Sequence, residues 1–122
     1  MSRPFHIEIN NKIRQARKAA SENRISILSS LSTAADALAL GFGIEDISHV
    51  LLDILKEITP NGYAGYYPPQ RSYEEEILQC ELFSFRWISK RLGCRAYLKF
   101  AFKGKQMWLV SLHEDRKDEE GE

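Results

Sequence analysis

The segment from Cys94 to His113, CRAYLKFAFKGKQMWLVSLH, restricts the fold of this chain more than any other part of the sequence. Apolar residues alternate with Arg95, Tyr97 and Lys99, which is typical of a β-strand with one buried face. A Lys-Gly-Lys sequence then precedes a second apolar run, as expected of a hairpin turn. The segment therefore predicts two antiparallel strands with one face on a core and the other in solvent.

The apolar side chains also predict the register of this hairpin, because directly opposed residues lie on the same face of a sheet. If both apolar sets face the core, Phe100 lies opposite Trp108 and Leu98 lies opposite Val110. The connecting turn then consists of residues 103–105. We therefore expect Trp108 in the core.

The outer face of the predicted hairpin gathers a guanidinium, a phenol, an ammonium group, a hydroxyl and an imidazole. In the predicted register Tyr97 lies opposite Ser111, Arg95 lies opposite His113, and Lys99 lies beside them. An imidazole can donate or accept a proton near neutrality, and a guanidinium can hold two phosphate oxygens. RNA cleavage without a metal needs such a base, an acid and cations. A charged, solvated face of an ordinary half-exposed sheet would have the same composition.

Upstream of the hairpin the sequence predicts three helices and a further strand. Apolar residues recur at helical spacing in residues 9–21, 32–41 and 44–57. Residues 74–88 predict a strand whose impure alternation indicates a bulge or a central position in the sheet. This order predicts an α+β fold, with two or three N-terminal helices packed on one face of a three-stranded, or slightly larger, antiparallel sheet.

A loop rich in proline and glycine, residues 59–71, separates the helices from the strands. Four tyrosines lie in or beside it, at positions 63, 66, 67 and 73. Tyrosines in such a loop either cover the core or stack on the bases of a nucleic acid. Both interpretations remain open at this stage.

Length and charge restrict the class of protein. A chain of 122 residues predicts a single domain, here residues 1–113. The formal charge of the whole chain is zero, but residues 114–122 hold six acidic and two basic side chains, so residues 1–113 carry about +4. A basic body suits an anionic partner. The segment 114–122 is expected to be a disordered acidic tail, or one that competes with nucleic acid for the basic face.

The sequence also bears on metal binding, membrane segments and the cellular compartment. Cys80 and Cys94 show no metal-ligand spacing, so we expect reduced thiols, no metal and no cofactor. The sequence has no apolar run of about 18 residues and no secretory signal at its start. We therefore expect a cytoplasmic protein without a membrane segment.

Short motifs occur in order between residues 10 and 114. They are ADALALGF at 35–42, HVLLDI at 49–54, LQCELF at 78–83, AYLKF at 96–100 and WLVSLH at 108–113. These motifs resemble segments of the MqsR (motility quorum-sensing regulator) toxins, which are RelE-like mRNA interferases. The resemblance implies a RelE-like fold and a type II toxin that cuts single-stranded mRNA as a metal-independent, sequence-specific endoribonuclease. It also implies a cognate antitoxin protein as partner.

The resemblance suggests site residues as well. The functional glutamine, tyrosine and lysine of the family fall on Gln79, Tyr97 and Lys99, and its last basic position, commonly lysine, falls on His113. The family's Asp-Phe-Tyr-Lys motif after the third helix has no counterpart, since residues 58–61 read Ile-Thr-Pro-Asn.

Further cations are candidate RNA contacts. They are Arg71, Arg91, Arg95, Lys103 and Lys105. Two alternatives to the nuclease stay open. In the first, the chain is a non-catalytic RNA- or protein-binding member of the same fold. In the second, it is a small adaptor whose acidic tail is the functional part.

Overall fold

The computed structural model describes residues 3–115, which form three α-helices and a four-stranded sheet. The elements are α1 (Arg3–Ser21), β1 (Ile25–Ile27), α2 (Ser30–Leu40), α3 (Ile47–Leu55), β2 (Leu82–Ser89), β3 (Cys94–Lys103) and β4 (Gln106–Glu114). The strand order is β1-β4-β3-β2, with the helices on one side of an open sheet. The predicted α+β class is confirmed. The sheet is mixed rather than antiparallel, because β1 runs parallel to β4.

The core lies between the helices and one face of the sheet. The stripe predicted on α1 is buried, since Ile9 and Ile13 have no exposed surface. On α3 the buried residues recur at helical spacing, and they meet alternate residues of β2, β3 and β4. The sheet contributes the fully buried aromatic side chains Phe83, Phe85 and Phe100 to this layer. Burying so much apolar surface explains why the helices gather on a single face.

The strand predicted over residues 74–88 is wrong in its first half. Residues Glu75–Ile77 form a 3₁₀ turn, and Gln79 has a φ of +67°. The N–H of Ser72 donates to the Cys80 carbonyl, and the Ser72 carbonyl accepts the N–H of Gln79, so residues 72–80 close a local turn before β2.

From Leu82 onward the alternation in β2 is regular. Phe83 and Phe85 are buried on the helix side, and Ser84 and Arg86 face the other way. The pairing of β2 with β3 has no register shift, and β2 lies at the edge of the sheet. Neither a bulge nor a central position is needed, because the residues that broke the pattern lie outside the strand.

The predicted register of the hairpin between β3 and β4 is wrong at the turn. Lys103 pairs with Gln106, so the turn has two residues and begins at Gly104, whose φ is +60°. Glycine at the first position of a two-residue turn meets the requirement of a type II′ turn. This shorter turn reverses the faces of the residues that follow. Met107 and Leu109 are fully buried, and Trp108 lies on the outer face, opposite Ala101 and only partly buried.

A bulge at Val110 then restores the predicted faces for the rest of β4. Phe100 pairs with Leu109 but Lys99 pairs with Ser111, which leaves Val110 as an extra residue. Leu112 is therefore buried, and Tyr97 lies opposite His113 instead of Ser111. A bulge adds one residue to one strand, so it changes which side chains face the core.

The end of β4 meets the segment expected to be a tail. Glu114 is the last residue of β4, and the N–H of Asp115 continues the ladder by donating to Arg95 O at 2.8 Å. Residues 116–122 of the expected tail lie outside the described residues. In the described part of the chain, none of the helices has the length and apolar character needed to cross a membrane.

Candidate functional site

A row of three side chains crosses the outer face of the sheet. Arg86, Tyr97 and His113 lie directly opposite one another on β2, β3 and β4. The guanidinium carbon of Arg86 lies 4.8 Å from the centroid of the Tyr97 ring. The Tyr97 and His113 rings are stacked, with centroids 5.2 Å apart and planes 26° from parallel. Tyr97 therefore lies between a permanent cation and an imidazole.

The hydrogen bond of His113 defines which ring nitrogen can accept a proton. Nδ1 of His113 lies 2.7 Å from the carbonyl oxygen of Glu114. A carbonyl oxygen can only accept, so Nδ1 carries the hydrogen in the neutral ring and the lone pair is on Nε2. Nε2 is thus the ring nitrogen that can accept a proton.

A second row beside the first adds a lysine and two hydroxyls. Ser84, Lys99 and Ser111 occupy neighbouring positions on β2, β3 and β4. A pocket of about 130 Å³ lies between these two rows and the proline- and glycine-rich loop that precedes β2. It is lined by Ala64, Gly65, Tyr66, Gln70, Leu82, Ser84, Arg86, Tyr97 and Lys99. Its cations and hydroxyl make it a polar cleft that suits a small anionic group.

The proline- and glycine-rich loop forms one wall of this pocket because it is fastened to the edge of β2. The N–H of Ala64 donates to Ser84 O at 2.8 Å, and the backbone of Tyr63 forms an isolated antiparallel β-bridge with that of Phe85. A Cβ on Gly65 would lie 2.8 Å from the hydroxyl of Tyr63, so only glycine allows this close approach. The loop is held at its present distance from the strand by these contacts.

The loop tyrosines differ in how far they pack against the core. Tyr63 and Tyr67 pack against Phe5 of α1, as a cover for the core would. Burial, together with the nearby carboxylates Glu81 and Glu8, raises the pKa of Tyr63 to about 12, so this phenol stays neutral. Tyr66 and Tyr73 are 71% and 85% exposed and remain available to a ligand.

An ion-pair cluster lies at the end of the first row. Oδ1 of Asp115 lies 3.1 Å from Nε of Arg86, and Oδ2 lies 3.1 Å from Nε of Arg95. The Asp115 side chain is only 3% exposed. Two guanidinium groups on neighbouring strands thus share one carboxylate.

Four of the predicted site residues meet on this face. They are Arg95, Tyr97, Lys99 and His113. Gln79 does not join them, because it lies in the turn before β2 and not in a strand. Arg71 lies near Gln79 instead, and its Nη1 donates to the Gln79 carbonyl at 3.2 Å.

Arg91 lies in the turn between β2 and β3 and contacts α3. Its Nε lies 2.9 Å from Oδ2 of Asp53, and its backbone N–H donates to Glu57. The Glu57 carboxylate also accepts hydrogen bonds from Trp87 and Ser89. Partial burial opposes ionisation of Glu57, but these hydrogen bonds outweigh it and hold the pKa of Glu57 below its usual value. This cluster ties α3 to the sheet and lies apart from the pocket.

The two lysines of the hairpin turn lie at the far end of the sheet. Lys103 Nζ donates to Glu76 O at 3.0 Å, and the carbonyl of Lys105 accepts a hydrogen bond from Arg24. Lys105 also lines a pocket of about 500 Å³ with Lys18 and Arg24. Lys103 is six residues from Tyr97 along β3, about 20 Å, so both lysines lie far from Tyr97 and His113.

Sequence reasoning missed Arg86 and Asp115 as site residues. The signal for Arg86 was present, since Ser84 and Arg86 are spaced by two and belong to the solvent face once β2 begins at Leu82. The sequence places Asp115 in the expected acidic tail. Its contact with β2 depends on how far β4 extends, which the sequence does not show.

The other chemically reactive groups form no second centre in the described part of the chain. Cys80 and Cys94 are free thiols, and partial burial raises the pKa of Cys94. Within residues 3–115 no three side chains of His, Cys, Asp or Glu are grouped so as to hold a metal ion.

Comparison with models of known protein families and with curated protein sequences finds no match for this chain. The chemistry of the site is therefore what indicates a function. An imidazole with a free Nε2 lone pair, a phenol and several cations lie together on an open sheet face. Such an arrangement can bind an anion and transfer protons to and from it.

Proposed function

We propose that this chain is a metal-independent, sequence-specific endoribonuclease acting on single-stranded mRNA, and the toxin of a type II toxin-antitoxin system in the cytoplasm. The observation that carries the proposal is the row Arg86–Tyr97–His113 with Lys99 beside it. The resemblance to MqsR toxins supports the same conclusion. The proposal includes a RelE-like fold, which is supported by helices on one side of a four-stranded sheet.

The proposed reaction is an attack of the ribose 2′-hydroxyl on the adjacent phosphorus. Nε2 of His113 takes the proton from the 2′-hydroxyl while the O2′–P bond forms. The P–O5′ bond breaks, and the phenol of Tyr97 gives its proton to the departing 5′-oxygen. The products are a 2′,3′-cyclic phosphate and a 5′-hydroxyl, with every proton accounted for.

The cations have an electrostatic role in this proposal. Lys99 lines the pocket beside Tyr97, where negative charge accumulates on the phosphoryl oxygens in the transition state. The guanidinium over the Tyr97 ring also stabilises the phenolate left after proton donation. Gln79 has no part in the proposed chemistry, because it lies in the turn before β2.

The test is cleavage of a mixed-sequence RNA by purified protein in EDTA. Tyr97→Phe and His113→Ala should each lower the rate roughly 10²–10⁴-fold. Matched controls are Tyr73→Phe, an 85% exposed tyrosine, and His49→Ala, an exposed histidine on α3, and neither should change the rate. A 2′-deoxy substitution at the cut nucleotide should abolish cleavage there.

Two outcomes would overturn the proposal that this chain is a nuclease. One is the absence of discrete cuts by the unmodified protein anywhere between about pH 5 and pH 9. The other is full activity in Tyr97→Phe and His113→Ala. RNA binding without cleavage would support the non-catalytic alternative instead.

The toxin role has a separate test in cells. Expression of the chain should arrest growth, and co-expression of a small protein encoded beside it should relieve the arrest. His113→Ala should remove the arrest without lowering the amount of protein. Normal growth at high expression of the unmodified chain would refute this part of the proposal.

A further inference from the structure

The two guanidinium groups that share Asp115 form a site built for two oxygens of one anion. Arg86 and Arg95 each direct Nε at a different carboxylate oxygen, both at 3.1 Å. Arginine holds carboxylate and phosphate groups in similar ways, because both present paired oxygens to the planar guanidinium. The same two groups can therefore hold a phosphate when the carboxylate moves away.

The position of this pair relative to the reacting groups indicates which phosphate it would hold. Asp115 follows His113 by two residues, and its N–H continues the ladder to Arg95, so both side chains lie on the outer face. Two residues along a strand span about 7 Å. Neighbouring phosphates of an extended single strand are separated by a similar distance.

We propose that Arg86 and Arg95 form a subsite for the RNA phosphate next to the one that is cut, and that the Asp115 carboxylate occupies this subsite when RNA is absent. The inference rests on the proposed function and extends it to a second phosphate and to its internal competitor. RNA must displace Asp115 to reach both guanidinium groups, so the carboxylate lowers the affinity for RNA.

The exposure of the three side chains indicates how RNA would compete with the Asp115 carboxylate for the two guanidinium groups. The Asp115 side chain is 3% exposed, whereas that of Arg95 is 56% exposed. The Asp115 carboxylate is thus enclosed, while the guanidinium of Arg95 is open to solvent and to an incoming RNA strand. Arg86 is 31% exposed and lines the pocket beside Tyr97, which connects the subsite to the reacting groups.

The test measures the affinity for a single-stranded 2′-O-methyl RNA, which cannot be cut, by fluorescence anisotropy. Asp115→Asn should bind roughly tenfold more tightly than the unmodified protein at low salt. The matched control is Glu114→Gln, which removes the same charge from the exposed neighbouring residue and should leave the affinity within about twofold. Thermal unfolding of each variant checks that it is folded, so that a gain in affinity is specific to the competition.

A second variant keeps the inference testable if Asp115→Asn does not fold. Arg95→Ala removes an exposed guanidinium and should reduce the slope of log affinity against log salt concentration by about 1. The control Arg14→Ala, an exposed arginine on α1, should leave the slope unchanged. Equal or weaker binding by folded Asp115→Asn, or an unchanged slope in Arg95→Ala, would overturn the inference.

The two proposals fail in different ways. If the chain binds RNA without cutting it, Asp115→Asn still tightens binding while neither protein cleaves. If the nuclease is correct and the subsite is not, cleavable RNA is cut at normal rates and Asp115→Asn shows no gain in affinity.

Discussion

The ring of Tyr97 stacks on the imidazole of His113 across two neighbouring strands, with 5.2 Å between the ring centroids. The two residues are direct partners only because β4 carries an extra residue, Val110, between the turn and His113. A bulge changes the direction of side chains as well as their pairing, and bulges often occur next to functional sites. The local irregularity of β4 therefore brings the two candidate catalytic groups together.

The reversed register near the turn predicts unequal effects for two neighbouring residues of β4. Leu109→Ala should lower the free energy of unfolding by about 2–5 kcal/mol, because Leu109 is fully buried. Trp108→Ala should lower it by about 1–2 kcal/mol, since Trp108 is only partly buried on the outer face. Urea unfolding of both variants measures the difference. A larger loss for Trp108→Ala would contradict the observed register.

The contact between Arg86 and Tyr97 predicts a specific need for arginine. Arg86→Ala should reduce kcat/KM for RNA cleavage about 10–100-fold, because the variant loses the charge over the Tyr97 ring. Arg86→Lys keeps the charge but not the planar group, so it should recover only part of the rate. Steady-state cleavage kinetics with thermal unfolding as control check this. Full activity in Arg86→Ala would show that the cation over the ring is not used.

The close approach of the loop predicts that Gly65→Ala changes the pocket. The new Cβ would meet the Tyr63 hydroxyl at 2.8 Å and Ser84 Oγ at 3.1 Å, so the loop must shift. We expect a loss of stability of about 1–3 kcal/mol and weaker RNA binding.

The control for that change is Gly43→Ala, where the nearest atoms belong to the flexible side chain of Glu45. Denaturation curves and anisotropy binding of both variants provide the comparison. If Gly65→Ala behaves like Gly43→Ala, the loop does not form a fixed wall of the pocket.

The hydrogen-bonded carboxylate of Glu57 predicts a dependence of stability on pH. Its pKa in the folded protein is below the ordinary value of 4.5, so its stabilising effect is complete above about pH 4.5 and is lost as the pH falls through the lowered pKa. Glu57→Gln should lower the free energy of unfolding by about 1–3 kcal/mol at neutral pH.

That difference should shrink when the pH is lowered well below 4.5, because the carboxyl group of the unmodified protein then becomes protonated. Urea unfolding at both pH values measures it, with the exposed Glu75→Gln as the matched control. A difference that stays constant between the two pH values would mean that ionisation of Glu57 does not stabilise the fold.

Much of the fold could be predicted from local patterns. The buried stripe on α1, the buried spacing on α3 and the alternation in β3 all follow from side chains that recur with the period of their own element. The short strand β1 joins the sheet in parallel to β4, a pairing between distant segments that no local pattern specifies. The sheet therefore has one strand more than the predicted minimum, and its pairing is mixed.

Alternation along β3 is enough to place Arg95, Tyr97 and Lys99 on the solvent face of one strand, because alternate residues of a strand point the same way. The residues opposite them depend on long-range contacts. Met107, Trp108, Leu109 and Val110 are all apolar, so alternation could not show which of them face the core or where the extra residue lies. The pairing of His113 with Tyr97, and of Asp115 with two arginines, depends on long-range packing of β4 against β1, β3 and the helices. Such packing selects a register by the total surface that it buries, and a pattern of neighbouring residues does not contain that information.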